Sequence, residues 1–574
     1  MKERADLIVV GGGAAGACAA IFARQRGLDV LLVDRGFFGR SGCSALASGM
    51  FSYYRPEDDW EYWLSNHGGT MVDRSLLKQA IARQYDLVHW MEEWGVEWVK
   101  EEGQIARMGG PGIPFPHSAM MVGGGPRFMM SIRNYAVDIG VRVLSRTLVT
   151  DFLTSDGRLP TEGRVVGVHA MNTRSGELYE LGARAVINAA GPMHFPYPRP
   201  DSPFTGMPSE LSGDGIAFAI RVGAELGKME IGGDGLVQAL FHSAQGFEML
   251  LGLGGHFVNG ENENFLNRYA ETSGQGTNSR RSSLGNAAVA EIVAGRGPVL
   301  RDNNTLTAND VRLLENVIPI IMKTFASAGL SVERHLVPYT KAMIGSTAVS
   351  GAGMRINQRG QSSVLGLYGA GNTTDGAYVI MGQNLSTCAV MGHWAGHAVA
   401  DDLPDLPFIP PDSTQVQALS TQALAPRERE SGLDYETVHS ALEALMLDMG
   451  LVMDSSKLTK AIDGVSEIEE DQIPRLKATD WHSLTKVLGL RNFAAALRTS
   501  YEVMLHRQES RGNVLRSDFP YTDNKDWLVR TIARWNGIRT VIRDEPRPND
   551  ERFAHTDAER TPHPFFDMVE PDLK

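Results

Sequence analysis

DLIVVGGGAAGACAAIFARQRGLDVLLVDRG, residues 6–36, decides the fold. Leu7 to Val10 are a short apolar run, read as a strand. Gly11, Gly13 and Gly16 form a G-x-G-x-x-G turn, and an alanine-rich helix follows to about Arg26. Val30 to Val33 make the next strand, which ends on Asp34. Strand, glycine turn, helix and acid-tipped strand, in this order and spacing, form a dinucleotide site. The glycines let backbone approach a pyrophosphate, and the helix N-terminus offers unpaired N–H groups and the positive end of a dipole. Ala14 and Ala15 stand at that N-terminus. Asp34 is placed to accept from a ribose hydroxyl.

The 574 residues exceed one ordinary core, so two or three domains are expected. A formal net charge of −13 argues against nucleic-acid binding and against a basic membrane-docking face. Cys18, Cys43 and Cys388 are isolated from one another, with no zinc or iron–sulfur spacing, so no metal is expected. Isolated thiols fit a reducing compartment, and a cytoplasmic setting is expected. No apolar run of membrane-spanning length occurs, so no direct membrane insertion is expected.

After Asp34, Arg35 leads into a small, glycine-dotted stretch to Gly49 that cannot be a core element. It lets a flat ring pass close to backbone, and Arg40 and Ser41 can serve phosphate or ring oxygens. Residues 51–110 read as helical. His117, in a glycine-rich loop, reads as a satisfied loop histidine or as a substrate contact. A helix, a strand and a meander then lead to Ala189-Ala190-Gly191, and Leu148 and Val149 lie on a strand that would run past an adenine. Asp214, in Gly213-Asp214-Gly215, reads as a helix N-cap that could also reach a cofactor. Residues 233–345 read as an inserted domain. The chain then returns through a β-hairpin, a strand ending in Gly369-Ala370-Gly371, and a helix starting near Asn384. Residues 433–510 read as a helical bundle, and the last fifty as a surface-wrapping tail.

These motifs resemble the flavoprotein subunits of the succinate dehydrogenase/fumarate reductase family, which includes L-aspartate oxidase and adenylylsulfate reductase. GGGAAG (11–16), GRSGCSALASG (39–49), NRYAE (267–271), AGRGP (294–298), GLYGAG (366–371), GQNLS (382–386) and RQESRGNVLRSDFPYTDNKDWL (507–528) fall in the family's order. The last run is the most specific. The resemblance implies an α/β fold: a Rossmann-like FAD-binding domain (1–232 and 346–405), an inserted α+β capping domain (233–345), and a C-terminal helical domain with a tail (430–574). It places FAD on Gly11 to Gly16, Asp34, Arg40, Ser41, Gly49, Asp214, Asn372, Leu385 and Ser386. Arg35, Gly42, Ala45, Val149, Ala190, Gly191, Gly371 and Asn384 complete the expected set. Several members carry FAD covalently on a histidine after the Arg-Ser pair. Gly42 holds that place here, so non-covalent FAD is implied. The helix near Asn384 would face the flavin's pyrimidine ring, where negative charge develops on reduction.

The resemblance also implies hydride exchange between flavin N5 and an activated carbon, with a proton moved by an arginine ahead of the AGRG segment. That role falls on Arg281, with Arg280 beside it; the alternative reading of Arg281 is a surface or helix-capping arginine. Three departures stand out. The family's His-Pro-Thr is replaced by Phe241-His242-Ser243, its substrate histidine falls near Lys341, and its substrate arginine falls on Ile380. A dicarboxylate needs two cationic clamps, so a small substrate other than succinate or fumarate is expected. Lys341 reads as a carboxylate or carbonyl ligand, as an acid/base, or as a solvated lysine. Tyr339, His335 and His242 are reserve candidates. A second reading, after adenylylsulfate reductase, is a flavin subunit serving a separate iron–sulfur protein; a homo-oligomer is compatible with either.

Overall fold

The computed structural model describes residues 1–59, 73–109, 116–194, 211–230, 236–238, 247–266, 279–341, 351–376, 383–450, 452–512, 514–547, 560–563, 565, 566 and 569. Its centre is a seven-stranded mixed sheet. Arg142–Ser145, Val30–Asp34, Lys2–Val10 and Leu178–Asn188 lie side by side and parallel. Val30–Asp34 is buried along its whole length, as befits a parallel strand covered on both faces. The Leu178–Asn188 strand then serves two partners on its far edge. Its first half pairs antiparallel with Val165–Asn172, which pairs with Thr147–Thr154, and its second half pairs parallel with Leu367–Gly369. The chain therefore leaves this sheet and returns to it about 180 residues later.

The Ala14–Gln25 helix follows the glycine turn directly. Its alanines let another backbone come close. An added Cβ on Gly392 would meet the Ala15 carbonyl oxygen at 2.2 Å, and one on Gly396 would meet that of Ala19 at 2.6 Å. The Gln383–Asp402 helix thus lies parallel to the first, in backbone contact. Gly392 abuts the first helix between Ala15 and Ala19, and Gln383 stands nine residues ahead of it, so this helix begins roughly 10 Å beyond the first helix's N-terminus, at 1.5 Å per residue.

A second, antiparallel sheet lies wholly within 236–341, in the order Leu236–Gln238, Val337–Lys341, Val299–Asp302, His256–Val258. Phe257, Val299, Leu314, Ile321, Phe325 and Val337 fill a hydrophobic cluster distinct from the main one. Between Asp412 and His506 the chain is mostly helical, with helices at Ser413–Glu428, Tyr435–Met449, Ser455–Glu467 and Trp481–His506.

Several expectations need correction. Helix occupies Arg74–Glu93, but the chain from 100 to 108 forms two-residue strands instead. The hairpin is short: Gln361 bridges Tyr368 in antiparallel fashion and the Ser362 N–H donates to the Leu367 carbonyl at 3.1 Å, while Gly353–Met354 ahead of it pairs with Leu226–Gly227. The tail does not merely wrap the surface: Val529–Trp535 and Thr540–Pro546 form a ribbon whose inner strand pairs with Leu226–Gly227. The alternation in Val529–Trp535 buries Thr531 and Ala533 on opposite sides of the pleat from Ile532, so this strand is covered on both faces.

Candidate functional site

A cleft of about 1240 Å³ opens at the C-terminal end of the parallel strands, where α/β sheets bind their ligands. Gly11, Gly13, Ala14 and Ala15 line it. Gly11 (φ +103°) can have no side chain, because a Cβ would sit 2.3 Å from the Ala189 carbonyl oxygen. Gly13 is the N-cap of the first helix and caps nothing with a side chain. Ser44 Oγ accepts from the Ala14 N–H at 3.0 Å. The remaining first-turn N–H groups have no carbonyl within the helix to bond. Gly16 does not line the cleft. An added Cβ there would lie 1.9 Å from the Gly11 carbonyl oxygen, so this glycine seats the helix on the turn.

Asp34 borders the cleft but is largely committed inward. Its Oδ2 accepts from the Gly12 N–H (2.7 Å), and its Oδ1 accepts from the Gly36 N–H (2.8 Å) and the Ser41 hydroxyl (3.0 Å). Burial pushes the carboxyl above its ordinary range, against the pull of these three bonds. Oδ2 retains acceptor capacity for a ribose hydroxyl. Ser41 folds the 35–42 loop as well, since its Oγ accepts from the Phe37 N–H at 3.1 Å. Arg40 is exposed on the cleft rim.

Arg35 and Asp214 meet as an ion pair at 3.2 Å, and Ser212 donates to Asp214 Oδ1 at 2.8 Å. Asp214 is not the N-cap: Gly213, in the left-handed region, holds that place, and Asp214 is the first helical residue. Val149, Leu148, Ala190 and Gly191 line this part of the cleft. At the other end stand Gly42, Gly371, Asn372, Asn384 and Leu385. An added Cβ on Gly42 would meet nothing within 4 Å. Beside it, burial pushes the Cys43 thiol up to about 12, which keeps it protonated and a poor nucleophile. Cys388 donates to Asn384 Oδ1 at 3.1 Å.

Three expected ligand residues serve packing instead. Ala45 is buried behind the cleft. Gly49 (φ +82°) would place a Cβ 2.4 Å from Val317 Cγ1, so it is a contact with the helix at Ala308–Val317. Ser386 is fully buried, and its Oγ accepts from Gln84 Nε2 at 3.2 Å.

The catalytic candidates are described less completely. Arg280 and Arg281 begin the Ser279–Val293 helix, and Lys341 ends the Val337–Lys341 strand against which that helix packs; their side chains lie outside the described residues. His242 and Ile380 also lie outside them. Asn286, on the same helix, donates to the Gly512 carbonyl at 3.2 Å. Tyr339 is a core residue rather than a catalytic one: its ring meets Phe257 edge-on at 5.3 Å and its hydroxyl accepts from buried Arg301 at 3.2 Å. His335 holds a surface turn, accepting from the Ser331 N–H. His117 is fully buried, its ring stacked on Tyr54 with 6.0 Å between centroids. Among the described residues, no group of His, Cys, Asp and Glu is placed to hold a metal.

Sequence reasoning missed one wall of the cleft. His482, Thr485, Lys486, Gly489, Leu490 and Phe493, all on the Trp481–His506 helix, border it. The available signal was a glycine inside an otherwise strong helical pattern, which marks close packing. The donor set as a whole fits FAD: bare helix N-terminal N–H groups for the pyrophosphate, an acid for the ribose, and a second helix N-terminus roughly 10 Å further on for the ring.

Comparison with known proteins agrees. A family model described as FAD binding domain matches residues 6–385, and one described as fumarate reductase flavoprotein C-term matches 439–553. An uncharacterised FAD-dependent oxidoreductase of Methanocaldococcus jannaschii is 25% identical over 92% of this chain and 96% of its own. A fumarate reductase (CoM/CoB) chain of Methanothermobacter marburgensis, one of that enzyme's subunits, is 24% identical over 90% of this chain and 95% of its own. The solved adenylylsulfate reductase of Archaeoglobus fulgidus superposes with a TM-score of 0.81 at 17% identity, over 96% of this chain and 97% of that one, and shares the fold. The glycine-turn cleft and the two family matches together place this chain in the fumarate reductase/succinate dehydrogenase flavoprotein family of FAD-dependent oxidoreductases.

Proposed function

We propose that the chain exchanges a hydride with a small substrate activated by a carboxylate or carbonyl, other than succinate or fumarate. One observation carries the reading: the helix that begins with Arg280 and Arg281 packs on the strand that ends with Lys341. The two cationic candidates thus belong to one small sheet-and-helix unit, tied to the 507–528 run through Asn286 and Gly512. Bound FAD supplies the hydride acceptor or donor at N5. Gly11 to Ala15 and Asp34 hold the dinucleotide non-covalently. Arg281 moves the proton at the substrate carbon. Arginine, with a pKa above ~12, does so only beside a strongly basic carbanion-like centre. Lys341 binds the activating carboxylate or carbonyl in place of the family's histidine. The 233–345 segment acts as the cap that excludes water, next to an FAD-binding domain of 1–232 and 346–405 and a helical domain of 430–574. Among the described residues no helix is long and apolar enough to cross a membrane, and a cytoplasmic setting is part of the proposal.

The test uses the purified flavoprotein with its flavin reduced. Reoxidation is followed with a panel of enoates and enones, and bleaching of the oxidised form with their saturated counterparts. Arg281→Ala should slow the active reaction by about 10²–10⁴-fold, the range of a positioned acid–base group, with FAD content unchanged. Turnover untouched by that change removes Arg281 from the mechanism. Turnover with succinate or fumarate would refute the substrate reading. The second reading, a flavin subunit of a larger enzyme, draws on the fumarate reductase relative and on the adenylylsulfate reductase fold. It expects a cysteine-rich iron–sulfur protein to co-purify with the native chain.

A further inference from the structure

The cleft-lining residues of the Trp481–His506 helix are spaced three or four apart over three turns, which is one helical face. The face is graded. Leu490 and Phe493 are buried, Lys486 is half-buried and His482 is exposed. Across the cleft the grading matches: Leu148, Val149 and Phe218 are buried, and Arg174 stands at the exposed rim. Gly489 lies at the middle of the face. A glycine inside a helix weakens it relative to alanine, and here the close approach explains it. An added Cβ would lie 3.0 Å from Ser212 Oγ and 3.1 Å from Ser212 Cβ, with Arg35 Nη2 3.7 Å away. One turn on, Asn492 donates to Asp214 Oδ1 at 2.7 Å, and Arg221 donates to Asn492 Oδ1 at 3.0 Å. The helix is therefore locked, by its own side chain, to the carboxylate that also holds Arg35.

We infer that this face is the outer wall of the slot for the adenosine half of FAD. The adenine enters between Leu148–Val149 on one side and Leu490–Phe493 on the other, apolar on both faces, with Lys486 at the polar mouth. The match to the FAD-binding family model ends at residue 385, a hundred residues before this wall. Cofactor binding consequently fastens the C-terminal helices to the main sheet, and the docked helix in turn completes the cofactor site. The inference rests on the adenosine lying beside Val149.

The test compares FAD with FMN, which carries the flavin ring and one phosphate but no adenosine. Apo-protein is titrated with each, following flavin fluorescence. Gly489→Leu sets its side chain against Ser212, lifts the wall from the slot and should weaken FAD by at least about 30-fold while leaving FMN within about twofold. Gly489→Ala, a milder intrusion that keeps the helix, should weaken FAD by about fivefold and FMN not at all. In the native chain FAD should also slow tryptic cleavage after Arg427, which is exposed at the end of the Ser413–Glu428 helix and stacked over Trp481, and in Gly489→Leu it should not. FAD affinity indifferent to both changes overturns the inference, and so does a parallel loss of FAD and FMN. A native chain that binds neither flavin would overturn the cofactor assignment itself, and this inference with it.

Discussion

The glycine turn at 11–16 directs bare backbone N–H groups at a cleft, whereas the arginine-rich run at 507–528 turns its donors inward. Arg507, Arg516 and Glu509 are almost completely buried. Arg507 donates to Glu230 Oε1 at 2.9 Å, to Glu509 Oε1 at 2.6 Å and to the Trp527 carbonyl at 2.8 Å. Arg516 grips both oxygens of Asp518 and the carbonyls of Met504 and Arg507. Among the described residues none from 507 to 528 borders the cleft. Both stretches are distinctive in sequence, yet one is distinctive for its ligand and the other for its own fold. A sharp motif marks a constraint, and only the destination of its hydrogen bonds says which kind.

The largest effect expected from breaking this contrast is at Glu509. Its carboxylate accepts from Arg507 (2.6 Å), from Arg511 through Nε (2.7 Å) and Nη2 (2.8 Å), and from the Asp523 N–H (2.8 Å). Glu509→Gln keeps the shape and removes the charge, leaving buried guanidinium groups under-compensated. A loss of about 3–5 kcal/mol is expected in urea unfolding. FAD affinity of the folded fraction should stay as it was. A variant with native stability and weakened FAD binding would show that the run serves the ligand after all.

The mirror-image change is at Gly13. Its backbone is extended (φ −73°, ψ −178°), open to any residue, and an added Cβ would meet only Ser44 Oγ, at 3.3 Å. Gly13→Val thus fits the fold and intrudes on the ligand. FAD affinity should drop about 100-fold, near 2.7 kcal/mol, with little change in the urea midpoint of the apo-protein. Gly16→Val should do the reverse, unfolding the turn, because its Cβ would strike the Gly11 carbonyl. Equal stability losses at both positions would remove the distinction between them.

The turn, its strands and most of its cleft residues are legible in sequence because they depend on local backbone geometry at fixed spacing. Asp34 is legible for its place and only partly for its bonds, since Gly36 and Ser41 draw its carboxylate inward. Gly49 and Ser386 sit inside motif-like stretches, but their neighbours, Val317 and Gln84, are hundreds of residues away in sequence. The same holds for the helix wall at 482–493 and for the tail strand paired to Leu226. Such contacts are set by tertiary packing, which no local pattern encodes. The arginine and lysine proposed for the chemistry are located by resemblance alone, and the helix and strand that carry them turn out to be neighbours.

Between the closed network at Glu509 and the open donors at the turn lies an intermediate case, Asp375. It follows the cleft residues Gly371 and Asn372 and rests on the backbone of Gly227, where an added Cβ would touch its Oδ2 at 2.3 Å. Lys228 is beside it, yet the ammonium donates to the Asp375 carbonyl oxygen (2.5 Å), while the carboxylate accepts from the Ile356 N–H at 3.2 Å. Burial pushes the carboxyl up to about 6, the nearby Lys228 charge only partly offsetting it and Asp73 adding to it. The sign follows from proton counts. From roughly pH 4 to pH 6 the folded chain holds a proton that the unfolded chain has lost. Stability from this group is therefore complete in acid and falls as pH rises through about 6. Asp375→Asn keeps the acceptor for Ile356 and cannot titrate. Against this variant, the native chain should lose on the order of 2 kcal/mol more between pH 4 and pH 7, read from paired urea midpoints so that the other carboxylates cancel. Identical pH profiles would mean that Lys228 neutralises Asp375 as fully as the arginines neutralise Glu509, and the intermediate case would join the closed one.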